Sequence, residues 1–269
     1  MNIFDKSGII YNVTIIERSI YETIIPNHEN VGGGANLSSK IFGSLAFEPL
    51  NGFTLAEILI TLGIIGVVAA LTMPALIQNH REKVTVTRLK KVYSVLSQAY
   101  VSASSENLDI KEWGLGKEFS TDGAQAIAEK LLPYLKLNKD CGFEKGCFPA
   151  GVVYTYLNGS GWYNLDSSGS RAYRAILSDG TLIAIESFGT YGKIFVDING
   201  FKGPNQDGRD LFAFRLKTEG VIPFGTQTDT ITPFGKNESY TAWVIYNENT
   251  DYLKCPDKLG WDKAKSCKG

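Results

Sequence analysis

The chain has 269 residues, 27 basic and 28 acidic side chains and a formal net charge of −1. That balance argues against a dedicated nucleic-acid surface, which needs a basic excess to displace counterions from phosphates. Its two histidines, His28 and His80, both precede the part that reads as globular. That part therefore has no imidazole for a Ser-His-Asp, Cys-His or histidine–zinc site. It also lacks a GxxxxGK phosphate loop, and no catalytic residue is assigned.

Residues 1–52 lack the pattern of a secretory signal. Asp5, Glu17, Glu22, Glu29 and Glu48 outnumber Lys6, Arg18 and Lys40, and VGGGANLSS at 31–39 reads as a flexible linker. From Phe53 to Ile77 the chain is apolar except for Thr54, Thr61, Thr72 and one carboxylate, Glu57. A helix over this run is about 37 Å long and crosses the roughly 30 Å hydrocarbon core of a bilayer with some tilt. A carboxylate near the start of such a helix is costly in lipid and needs a reason.

Gly52-Phe53-Thr54-Leu55-Ala56-Glu57, directly before the apolar run, resembles the N-terminus of type IV pilins and type II secretion pseudopilins. The resemblance makes Gly52 the last leader residue, with 1–52 a cytoplasmic leader removed by a prepilin peptidase. It makes Phe53 the N-methylated first residue of the mature chain, Glu57 the family's assembly acid and Pro74 its helix proline. It implies a structural subunit of a type IV pilus or secretion pseudopilus, not an enzyme. Its partners would be itself and other pilin-like subunits, the prepilin peptidase, an inner-membrane assembly platform and membrane lipid. The protein would sit in a bacterial inner membrane by a single pass, domain outside the cytoplasm, before joining the filament. A membrane-anchored extracytoplasmic binding protein and a tip-located minor pilin for adhesion or DNA uptake are the alternatives.

Two features depart from that pattern. The leader is longer than usual. Arg81, Lys83, Arg88, Lys90 and Lys91 follow the apolar run while only Lys40 lies near its other end, so the positive-inside rule would put the domain in the cytoplasm. The cleavage motif and the cysteines favour the opposite topology, which is the one expected here. Glu57 has two readings. It snorkels to the headgroups beside the positive helix N-terminus, or, as the resemblance implies, it offsets the new amino group of Phe53 on a neighbouring subunit. Pro74 predicts a kink or local melting near Ala70.

Beyond Gln78 the pattern becomes amphipathic. Leu89, Val92, Leu96, Tyr100 and Ala103 recur at helical spacing and Tyr93 widens the stripe. Residues 53–77 thus form a lipid-like half and 78–103 a single-stripe half of one helix, with the globular part at 104–269. A signal anchor followed by a separate domain helix is the alternative. GAQAIAEKLLPYL at 123–135 reads as a short helix with Asp122 or Thr121 as N-cap. The segments 152–157, 171–177, 181–187, 193–198 and 211–216 read as strands, and Ser178-Asp179-Gly180 as a hairpin turn. The expected fold is α+β: a long N-terminal helix packed on an antiparallel, meander-like sheet, in the lollipop arrangement that the pilin resemblance implies. TAWVIYN at 241–247 fits a strand or a helical turn.

All four cysteines, Cys141, Cys147, Cys255 and Cys267, follow the apolar run, which suggests an oxidising compartment. Three pairings are possible and the local one, Cys141 with Cys147 and Cys255 with Cys267, is expected. The second pair would close the C-terminal tail much as a disulfide bounds the terminal loop of many pilins. A zinc site is the rival reading, against which the Cys141–Cys147 spacing argues. The loop from Asp197 to Asp210, DINGFKGPNQDGRD, places several oxygen donors among turn-forming glycines. It resembles a loop of pseudopilin-like proteins, some of which bind calcium nearby, and Asp197, Asn199, Asp207 and Asp210 are the candidate ligands. The alternative is that Asp and Asn build the turns themselves.

Overall fold

The structure, a computed structural model, describes residues 53–225 and 240–268. The chain divides into two units, Met1–Leu55 and Ala56–Gly269. The leader expected over 1–52, Gly52 included, lies outside the described residues.

Helix α1 runs from Leu55 to Asn107, about 80 Å at 1.5 Å per residue. Glu57 stands in its first turn, where the exposed N–H groups favour a carboxylate. The local melting expected near Ala70 is not found, because the helix continues through Pro74. A proline deprives one carbonyl of its donor, while the Ala, Leu, Met and Gln residues around it hold helical geometry well. Thr61 and Thr72 donate their hydroxyls to the carbonyls of Ile58 and Val68 at 3.0 and 2.9 Å, so neither leaves a polar group bare on an apolar surface.

The second half of α1 carries the predicted stripe. Val86, Leu89, Val92, Leu96, Ala99, Tyr100 and Ala103 are buried, and Tyr93 stacks on Phe214 at 5.7 Å between ring centroids. They pack against one face of a six-stranded sheet formed by β1 (Leu137–Gly142), β4 (Tyr173–Leu177), β5 (Leu182–Ser187), β6 (Gly192–Asp197), β7 (Leu211–Lys217) and β8 (Gly220–Pro223), in that order. Every pair is antiparallel, as short connections require. The β4–β5 turn closes through Asp179, whose carboxylate accepts from Thr181 N at 3.1 Å, and Gly180 takes the positive φ of 86° that an L side chain avoids.

Helix α2 (Thr121–Leu131) lies on the same face. Its cap is Ser120, not Asp122 or Thr121: the Ser120 hydroxyl accepts from Gly123 N at 3.0 Å. The segment left undecided is helical, as α3 (Tyr240–Asn247), and buries Trp243 and Val244 in the same core. The segment 152–157 is a strand only at β2 (Tyr154–Thr155), which pairs with β3 (Gly161–Tyr163).

The opposite face of the sheet is also covered. Leu182, Ala184, Phe195, Leu211 and Ala213 meet Phe148, Tyr154 and Leu165 from the connection between β1 and β4. Both faces of β5 and β6 are therefore buried, which accounts for their unbroken apolar runs. Arg174 pins this second layer from beneath. It is fully buried, donates to Leu165 O at 2.9 Å and to Phe143 O, and lies 4.0 Å from Asp166.

Candidate functional site

The first half of α1 is the feature that the domain leaves uncovered. Apart from Ala69, every residue from Phe53 to His80 is exposed, Phe53 at 84% and Leu71 at 76%. A continuous apolar surface of this extent far exceeds what a water-soluble monomer presents. The helix is long and apolar enough to cross a membrane. Phe53, Glu57 and Pro74 all lie on this segment, with Glu57 and Pro74 about 26 Å apart along the axis.

The Asp197–Asp210 loop is built by its own carboxylates. Asp197, fully buried, accepts Tyr154 OH at 2.6 Å on one oxygen and Asn199 N at 3.0 Å on the other. Asp210 accepts Asn205 N and Asn199 Nδ2 on one oxygen, at 2.7 and 3.2 Å, and Gln206 N at 2.7 Å on the other. Burial raises both carboxyls. Asp197 is pushed up to about 7, against the bond from Tyr154 and with the charge of Asp210 adding to the rise. Burial beside Asp197 in turn raises the Tyr154 phenol. Asp207 is buried too; burial, and after it the charge of Asp207, raises the phenols of Tyr240 and Tyr252. Tyr252 fastens the loop by donating to Gly208 O at 2.6 Å, and Arg88 of α1 donates to Ile198 O at 3.2 Å.

The structure thus gathers Asp197, Asn199 and Asp210, but as a turn scaffold. Each of the four oxygens on the two aspartates already faces an N–H or O–H donor. Asn199 Oδ1 and Asn205 Oδ1 are buried without a donor, far short of the roughly six to eight oxygens that calcium takes. Among the described residues, no group of three or more His, Cys, Asp or Glu is placed to hold a metal ion. The donor set fits the alternative reading, in which Asp and Asn build the turns themselves, better than the candidate calcium site.

Cys141 is bonded to Cys147 and Cys255 to Cys267, which leaves no thiolate for the rival zinc reading. The second disulfide closes the C-terminal tail on itself, and Cys267 N donates to Asp251 at 2.8 Å. Sequence reading missed Tyr154 and Tyr252 as the residues that fix the Asp197–Asp210 loop. Their partners lie 43 and 44 residues along the chain, so no local pattern marks them.

No characterised protein and no solved structure matches the chain, and no pilin or pseudopilin family is matched. A family of unknown function, DUF6613, matches residues 75–254, from the last three residues of the apolar run through the sheet and α3 to the C-terminal tail. With about two thirds of its length inside that match, the chain belongs to the DUF6613 family.

Proposed function

We propose that the protein is a pilin-like structural subunit, held in a membrane by the first half of α1 and polymerised through it into a type IV pilus or secretion pseudopilus. The observation that carries this reading is one unbroken helix with two kinds of surface. Its first half is uncovered and apolar all round, and its second half is the central element of a disulfide-bonded domain. Such a helix can leave lipid only for an equally apolar partner, and the same segment of another copy is one. Glu57 gives that exchange a register, because a carboxylate in hydrocarbon is strongly stabilised by an opposite charge. Cleavage before Phe53 would create that charge as a free amino group one turn away. The disulfides suit a domain outside the cytoplasm, in the lollipop arrangement of pilins.

The test is the N-terminus of the protein recovered from membranes of a host that has a prepilin peptidase. Intact mass and N-terminal sequencing should give a chain that begins at methylated Phe53. A chain that keeps residues upstream of Phe53 would overturn the pilin reading in favour of an anchored domain that never polymerises.

A further inference from the structure

We infer that a groove between the membrane end of α1 and the Asp197–Asp210 loop seats the phosphate of an anionic phospholipid. The inference rests on the reading that α1 spans a membrane. The groove has a volume of about 1000 Å³ and is lined by Pro74, Ile77, His80, Arg81 and Arg88 on the helix side and by Arg209 on the domain side.

Two carboxylates also line it, Glu82 and Asp210, and both are already answered. Glu82 accepts Lys254 Nζ at 2.5 Å and Thr250 N at 3.2 Å. Asp210 accepts the two backbone amides and the Asn199 side chain described above. Arg88 ties the loop to the helix through Ile198 O. Arg81 and Arg209 are exposed and form no ion pair among the described residues. The groove is therefore left with guanidinium charge, in the planar form that grips phosphate oxygens in pairs.

Its height selects the source of the phosphate. Ile77 closes the apolar run, so a bilayer that holds Phe53–Ile77 brings its headgroups to the turn that contains Arg81. Arg81 lies about 6 Å beyond Ile77 along the axis, within a headgroup layer about 5–8 Å thick. Pro74 and Ile77 supply an apolar wall for the first methylenes of an acyl chain, and Arg81 and Arg209 supply the charge above it. A soluble anion needs no such wall. The seat also gives Arg81 a role on the domain side of the membrane, where the positive-inside rule would not place it.

The experiment uses the full-length chain in nanodiscs of equal phosphatidylglycerol and phosphatidylcholine, with lipids retained after release counted by native mass spectrometry. Phosphatidylglycerol should be retained preferentially. The variant Arg81→Ala/Arg209→Ala should lower that preference by about fivefold per guanidinium, Arg81→Gln alone by about fivefold, and Lys83→Ala, outside the groove, should leave it unchanged. An inserted wild-type chain without preference overturns the seat. So does an equal loss in Lys83→Ala, which would mean diffuse attraction, or a preference abolished by millimolar inorganic phosphate, which would mean a soluble-anion site. Flotation of the same samples separates the two readings: a chain that fails to float refutes the spanning helix itself.

Discussion

Replacing Asp197 by Asn removes a buried carboxyl whose titration falls within a workable pH range. Asp197 is fully buried between Tyr154 OH and Asn199 N, and burial pushes it from 3.8 up to about 7. Between those values the folded protein holds a proton that the unfolded chain has released. Its contribution to stability is full below the unfolded value and is lost as pH rises through about 7. A shift of about three units at about 1.4 kcal/mol each gives roughly 4 kcal/mol. Asparagine has the shape of the protonated acid, can donate to the Tyr154 oxygen, and does not titrate. Wild type and Asp197→Asn should therefore be of similar stability near pH 4, and the variant should gain on wild type by roughly 4 kcal/mol by about pH 8. The assay is chemical denaturation of the detergent-solubilised full-length chain, disulfides intact, followed by tryptophan fluorescence across that range. A stability difference that stays constant with pH refutes the argument, and one that grows in the other direction would mean that the carboxylate is stabilised in its ionised form.

Gly208 has φ of 76°, and a Cβ there would meet Tyr240 Cδ2 at 2.5 Å, whereas Gly151 has φ of 71° with open space around it. Gly208→Ala should thus cost roughly 2–4 kcal/mol, from backbone strain plus overpacking, and Gly151→Ala only about 1–2 kcal/mol; equal thermal shifts would sink the packing argument. Opening the Cys255–Cys267 loop by a double Ser variant should remove about 3 kcal/mol, read from denaturant midpoints, and a loss under about 1 kcal/mol would show that the tail is held by other contacts. Glu57→Ala should leave membrane insertion intact and abolish incorporation into sheared filaments, and filaments of normal subunit content would count against the proposed pairing. Titration with calcium should leave the denaturation midpoint of the wild type unmoved, since a bound ion would raise it progressively with concentration.

The parts of the fold legible in the sequence are those set by local periodicity. The stripe of Leu89, Val92, Leu96, Tyr100 and Ala103 is buried as its spacing requires, and five of the strand segments hold at least a core of strand. β1 was not legible because LNKDCG is polar, and an edge strand exposes most of its side chains. α3 was not legible because it is buried nearly all round, which erases the helical period. In the Asp197–Asp210 loop the residue types suit a cation and a turn scaffold equally, and only the positions of the donors decide between them.

The bases after the apolar run mark the same boundary. Lys90 pairs with Glu248, Lys91 with Asp179 at 2.7 Å, and Arg88 bonds the carbonyl of Ile198, so three of the five are occupied by the fold. The positive-inside rule counts them by position along the chain, and sequence shows nothing else. The helix, its apolar half and its buried stripe were determined by the sequence alone, because they depend on neighbours within a turn or two. The layer on the far side of the sheet, the inward carboxylates and the groove beside Arg81 were decided by tertiary structure. They depend on partners 43 residues apart for Tyr154 and Asp197, and 172 apart for Glu82 and Lys254, and only the closed fold brings such groups within hydrogen-bond reach.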